Sequence, residues 1–274
     1  MGRFGDEFRL TLITSDPVLA ARADRSGINR VGVDLERLGK AGRQSGQDTR
    51  LSDHNMEDLA AIGATLDTAE LFVRLNPINA DTPHEIESVL GCGAEVLMLP
   101  FFRTADEVET FIRLVNGRAY VVILLETASA VVRIREILAV PGVHEVMVGL
   151  NDLRLELGVK SHFEVLASPL LDALASEVHR ADLAFSVGGV GRPDDLSLPV
   201  SADLVLAQFP RLGATGAWVS RSFFKGVPSD WDLAAAICAL RQRLTEWDGA
   251  SREMLERARS DLAERARAIA STPP

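Results

Sequence analysis

A (β/α)₈ barrel with extra C-terminal helices is the fold this sequence predicts, on three observations. Eight apolar runs of strand length recur along about 220 residues, a span typical of that barrel. Segments with helical spacing lie between them. The runs are continuous rather than alternating, as a parallel sheet covered on both faces requires.

The predicted strands cover 10–13, 30–34, 70–75, 96–100, 120–126, 145–148, 183–187 and 214–220. Predicted helices follow at 84–90, 104–115, 129–140, 163–179 and 202–212, the last disturbed by Pro210. Thr104 with Glu107 three residues on reads as a capping box that opens its helix. The polar, glycine-containing stretch 35–58 is long for a connection in a compact domain, and such loops are commonly functional. The barrel is assigned to residues 1–228. The segment 229–274 holds two amphipathic helices, 230–247 and 251–270, and is assigned as an oligomerisation arm. The last of these carries Leu255, Ala258, Leu262 and Ile269 on one stripe. A closed barrel would leave it little core to join, which points to a second copy of the chain, a homo-oligomer.

Composition narrows the function. With 274 residues, a net charge of −10 and 47% hydrophobic content, the chain reads as an ordinary globular protein. That charge argues against nucleic acid or an anionic membrane as main partner. No apolar run approaches the length of a membrane span, and the first residues lack the pattern of a signal peptide. Two isolated cysteines, Cys92 and Cys238, read as reduced thiols of a cytoplasmic protein.

Catalytic side chains of this fold sit at the C-terminal ends of the strands. Asp34, Arg74, Glu126 and Asp152 all fall there. The apolar run VVILL drives straight into Glu126, and EVMVGLN into Asp152. A carboxylate so placed loses hydration worth several kcal/mol unless a cation or hydrogen bonds replace it. Two hard oxygen donors on neighbouring strands suit Mg²⁺ or Mn²⁺. Helix capping by residues 127–129 and 151–152 is the competing reading. Arg74 can grip a carboxylate with two parallel hydrogen bonds, or form an ion pair with an acid at the barrel mouth. The glycines of SVGGVGR, Gly188 and Gly189, with Arg192, could expose backbone N–H groups to an anion or make a plain turn. His54, in the long polar loop, is a possible general base or a surface histidine. Only three of the 29 basic residues are lysines, Lys40, Lys160 and Lys225, and none sits within an apolar strand. A Schiff base is therefore not expected, and an enolate would need a cation to stabilise it.

With these residues assembled, the chain resembles the HpcH/HpaI aldolase and citrate lyase β-subunit family. The resemblance runs from about Arg30 to Phe224. It is carried by VGVDLER (31–37), LFVRLNP (71–77), the run 85–112, the run 121–158 holding both acids, and GATGAWVSRSF (213–223). It implies a barrel in which Glu126 and Asp152 bind Mg²⁺ or a similar ion and Arg74 binds an oxoacid or its enolate. It also implies oligomers that exchange C-terminal helices. Pyruvate aldolases of the family carry a histidine base where this chain has Arg37, in Asp34-Leu35-Glu36-Arg37. Citrate lyase-type members show an aspartate there. Arginine is no ordinary base at neutral pH, so His54, a water or the substrate would have to take the proton. Asp34, Glu36 and the loop 37–54, with Arg37, Lys40, Arg43, Arg50 and His54, read as the binding side for an anionic substrate. The function implied is a metal-dependent carbon–carbon lyase acting beside the enolate of a pyruvate-like 2-oxo acid. A lyase or synthase for a CoA thioester, a non-lyase enolate enzyme acting on a phosphorylated oxoacid, and a non-catalytic metal- or oxoacid-binding homologue are the alternatives.

Overall fold

The computed structural model describes residues 3–39, 53–228 and 230–271. Eight parallel strands close into a barrel in chain order: β1 (Arg9–Ile13), β2 (Arg30–Asp34), β3 (Glu70–Arg74), β4 (Val96–Leu99), β5 (Tyr120–Leu125), β6 (Glu145–Val148), β7 (Ala184–Val190) and β8 (Gly216–Val219). β1 pairs with both β2 and β8, so the sheet has no free edge.

The strands are apolar on both sides because they face two cores. Phe72, Val96, Met98, Val122, Leu124 and Met147 fill the barrel interior, with Trp218 packed edge-on against Phe72. The opposite faces, among them Val31, Val73, Leu97, Ile123, Val146 and Phe185, pack beneath the surrounding helices. The interior is polar at its N-terminal end. There the buried Arg30 guanidinium donates to Glu145 at 2.7 Å and to Glu70 at 3.1 Å, while its third nitrogen, Nη2, has no hydrogen-bond partner. A charged group so enclosed is held by its carboxylates, and breaking such a pair costs more than the pair contributes. In barrels of this kind the N-terminal end serves stability.

Several predicted helices are interrupted, each for a local reason. The segment 163–179 divides at Ser168, which turns to φ −79°, ψ 153° because Pro169 excludes the helical conformation from the residue before it. Pro169 then opens Pro169–Arg180, where its missing N–H is harmless. Pro210 has no N–H for the carbonyl of Leu206, so 202–212 becomes Ala202–Leu206 and Gln208–Leu212. The helix at 129–140 splits at Arg133, whose guanidinium turns back onto the carbonyl and hydroxyl of Ser129. The predicted capping box is present: Thr104 Oγ1 accepts from Glu107 N–H and Glu107 returns a bond to Thr104 N–H. Within 35–58, residues 40–52 lie outside the described residues, and so do Lys40, Arg43 and Arg50. Its far end is not loop but helix, Met56–Gly63, capped by Asn55.

The C-terminal helices pack on their own chain. Leu233–Asp248 packs against the short N-terminal helix Phe4–Glu7. Its Arg241 donates to the carbonyls of Gly5, Phe8 and Gly27 at 2.6–2.8 Å. The last helix, Arg252–Ser271, does find a core on its own chain. Ala258, Leu262 and Ala266 are fully or nearly fully buried, and the helix lies against His162–Leu166, Ala202–Leu206 and Gln208–Leu212. Of the predicted stripe only Ile269 stays exposed. Truncating Leu262→Ala should therefore lower stability by about 2–5 kcal/mol in denaturant unfolding. A frayed tail would give a change within about 0.5 kcal/mol.

Candidate active site

The C-terminal ends of the strands open into a cavity of about 940 Å³. Asp34, His54, Arg74, Glu126, Asp152, Gly188 and Gly189 all line it. Seven of the ten residues proposed from sequence are thus gathered on one surface. Glu36, Arg37 and Arg192 are not on it.

Glu126 follows the last residue of β5 and is buried. One carboxylate oxygen, Oε1, accepts the backbone N–H of Phe101 at 3.0 Å. Phe101 holds φ +51°, an uncommon and strained conformation for a bulky residue. The other oxygen faces Gly149, where a Cβ would lie 2.6 Å from Oε2. Only glycine leaves that carboxylate its place. Capping does not explain Glu126, because Thr127 is the N-cap of Ala128–Val132 and accepts from Ala130 N–H at 3.1 Å. Nor does Asp152 cap. The N-cap of Leu150–Glu156 is Gly149, and Asp152 sits in the first turn behind it. The bond from Gly149 N–H to the Leu125 carbonyl, 3.0 Å, ties the two strand ends together and brings both acids to one wall.

Arg74 ends β3 directly beside Asp34 at the end of β2, its registered partner. Its Nε and Nη2 donate to the two oxygens of Asp34 at 2.9 and 2.6 Å, a two-pronged grip. Glu36, buried, lies 3.6 Å from Nε. Burial would push the guanidinium pKa down, but the charges of Asp34, Glu36 and, more weakly, Glu126 push it further up, so Arg74 is permanently cationic. The ion pair considered as an alternative for Arg74 therefore exists, and it faces the cavity. The guanidinium also stands 6.0 Å from the centre of the Trp218 ring.

The other sequence candidates have structural partners. Arg37 donates from Nη2 to the carbonyls of His54, 2.8 Å, and Asp53, 3.5 Å, and its own N–H goes to Asn76. Arg192 donates to the carbonyls of Phe223 and Lys225 and lies over the Trp231 ring, fastening the segment after β8. Gly188 and Gly189 lie within β7, which runs three residues past its predicted end through a register shift between Ser186 and Gly189. Gly188 has φ +55°, and a Cβ there would meet Leu150 at 2.7 Å.

Sequence reasoning missed Phe101 and Gly149, and also the apolar wall of the cavity. That wall is built by Leu150, Phe163, Leu166, Leu198, Val200 and Val205. A wall assembled from three separate segments leaves no local pattern to find. His162, also on the cavity, has its pKa pushed down by burial and then by Arg154, so its neutral form is favoured.

Among the described residues no group of three or more His, Cys, Asp or Glu side chains forms a ready-made metal cage. Glu126 and Asp152 supply two oxygen donors, the kind of set that Mg²⁺ or Mn²⁺ uses together with water and substrate oxygens.

Comparison with known proteins agrees with this architecture. A protein of the HpcH/HpaI aldolase/citrate lyase family from Burkholderia cenocepacia J2315 superposes with a TM-score of 0.62 at 19% identity, covering 88% of this chain and 95% of that one. An HpcH/HpaI aldolase from Desulfitobacterium hafniense DCB-2 gives 0.61 at 16%, covering 82% and 95%. The citrate lyase beta subunit from M. tuberculosis, complexed with oxaloacetate and magnesium, gives 0.60 at 18%, covering 88% and 98%. Among curated proteins no match was found. These identities establish the shared fold. Residues 10–184 match the sequence model of one family, and by that match the chain belongs to the HpcH/HpaI aldolase/citrate lyase family.

Proposed function

We propose that this protein is a metal-dependent carbon–carbon lyase of the aldolase type, making or breaking a bond next to the enolate of a pyruvate-like 2-oxo acid. One observation carries the reading: two carboxylates and a permanently charged arginine line the same cavity at the C-terminal end of the barrel. Glu126 and Asp152 would hold the divalent ion. When bound, it supplies Lewis acidity toward the oxygens of the oxoacid. The relative from M. tuberculosis, complexed with oxaloacetate and magnesium, supports that assignment.

The remaining chemistry belongs to the chain. Arg74, held by Asp34, presents fixed positive charge toward the cavity, where negative charge develops on the enolate oxygen. Phe101 N–H and the missing side chain of Gly149 fix the Glu126 carboxylate. The cavity far exceeds what a three-carbon acid needs, and its apolar wall would receive the body of the second substrate. Water is displaced there, which strengthens the charges beside it.

Two results test this. Pyruvate methyl protons should exchange in D₂O with Mg²⁺ or Mn²⁺ and without CoA, and should not exchange after chelation. Dependence on a CoA thioester would favour the alternative lyase. Borohydride with pyruvate should add no mass, because the mechanism forms no imine, and an adduct on Lys225 would overturn it.

The Gly149→Ala variant should weaken Mn²⁺ binding by about 10- to 100-fold, the range seen when a ligand loses its outer support. Calorimetric titration reads that change, and a melting curve shows whether the fold is kept.

A further inference from the structure

The cavity has two unlike halves. Asp34, Arg74, Glu126 and Asp152 make one of them charged. The other is the apolar wall, and it begins beside the acids, because Leu150 stands two residues before Asp152. Glycines let that wall sit against the end of β7. A Cβ at Gly188 would lie 2.7 Å from Leu150 Cδ1, and one at Gly191 would lie 2.9 Å from Leu198 Cδ1. A side chain at either position would displace a leucine that lines the cavity.

The hydroxyls beside the wall are engaged within the protein. Ser220 Oγ donates to the Val190 carbonyl at 2.7 Å. Its one proton is then spent, so in the 2.6 Å contact between Ser220 and Ser222 the donor is Ser222. Burial, and then Arg154, pushes the His162 pKa down, so the wall gains no charge from that ring. A carboxylate set against such a surface would lose its water without gaining a partner. Arg221 also lines the cavity, but it is exposed, and an ion pair there is worth little.

We propose that the second substrate is a neutral aldehyde with an alkyl or aryl body, and that Leu150 and Leu198 set this preference. The proposal rests on the lyase reading above. In the condensing direction pyruvate C3 releases a proton to water, and the electron pair left behind forms the new bond to the aldehyde carbon. The aldehyde oxygen takes up a proton from water. The product is a 4-hydroxy-2-oxo acid with an apolar tail, and nothing is oxidised or reduced overall. In the cleaving direction the same acid releases pyruvate and the aldehyde.

The test uses the full-length protein with Mg²⁺, pyruvate and the aldehydes from propanal to hexanal, with product followed by proton NMR. Each added methylene should raise kcat/KM about fourfold, the worth of one buried CH₂. Butanal should outrun succinic semialdehyde, its acid-ended counterpart of equal length, by about tenfold or more. Leu198→Asn should shrink the hexanal-to-propanal ratio by about fourfold or more, and Arg221→Ala should leave that ratio unchanged. A ratio between two substrates does not move with a general loss of fold or metal, which melting curves record separately. A flat series overturns the proposal. So does a semialdehyde that reacts fastest and loses its lead in Arg221→Ala. Pyruvate methyl exchange in D₂O reads the enolate chemistry with no aldehyde present. Exchange with a flat or reversed series sinks the apolar aldehyde alone, while no exchange and no product sinks the lyase reading and this proposal with it.

Discussion

Replacing Glu126 by glutamine, or Asp152 by asparagine, should remove divalent-ion binding and, with it, the enolate formation proposed for this site. Each change keeps shape and takes away one of the two anionic oxygen donors assigned to the ion. Loss of a mere outer partner costs a metal site about 10- to 100-fold, so loss of a ligand exceeds that. Glu126→Gln has a second effect. Oε1 still accepts the Phe101 N–H at its 3.0 Å distance if the amide oxygen takes that place, leaving an NH₂ pointed at Gly149 and the cavity. That donor repels a cation directly. Mn²⁺ titration of both variants beside their melting curves is the measurement. Unchanged affinity in both, with the fold intact, would remove the metal from this site and the proposed chemistry with it.

Arg74→Ala should be the most damaging single change to both stability and activity. Asp34 is 4% exposed and Glu36 2% exposed, and Arg74 pairs with both. Removing one partner of a buried ion pair costs about 3–5 kcal/mol, because the other charge is left uncompensated. The same change removes fixed charge worth about 3 kcal/mol to an oxyanion in a water-poor site, a hundredfold or more in rate. Arg74→Lys separates the two effects. Lysine keeps the charge that the acids require but loses the two-pronged geometry. It should melt close to the parent and recover only part of the rate, exchanging pyruvate protons about tenfold more slowly for the lost second hydrogen bond. Should Arg74→Lys be both stable and fully active, the guanidinium serves the fold alone.

How much of this could be read in advance depended on where each residue's partners lie in the sequence. Asp34, Arg74 and Glu126 were visible because an apolar run that ends in charge marks the rim of a buried strand, and the strand itself supplies the evidence. Asp152 was visible by the same logic one turn further on. The roles of Arg37 and Arg192 were not, because their partners are backbone carbonyls of other segments, and carbonyls carry no sequence signature. Charge, and for Arg192 the neighbouring glycines, point to an anion, while in the structure both guanidinium groups donate to backbone carbonyls. Phe101 was invisible for a different reason. A phenylalanine at positive φ contradicts local preference, and only the surrounding tertiary structure imposes it. The proline breaks at Ser168–Pro169 and near Pro210 were legible in principle, since both follow from a missing N–H and the ring's bulk. Helical periodicity carried the prediction across them.

The last helix lies on His162–Leu166 and Ala202–Leu206, and these two short helices bear Phe163, Leu166 and Val205 of the cavity's apolar wall. Synthesis on the ribosome therefore delivers the site in two instalments. Every strand of the barrel, and with them both acids and Arg74, has emerged by residue 219, while the brace behind the wall spans residues 252–271. A chain that stalls or is clipped between these points holds its full complement of charged groups before an unsupported wall. Domains fold as units during synthesis, so this intermediate has a finite lifetime on every molecule made.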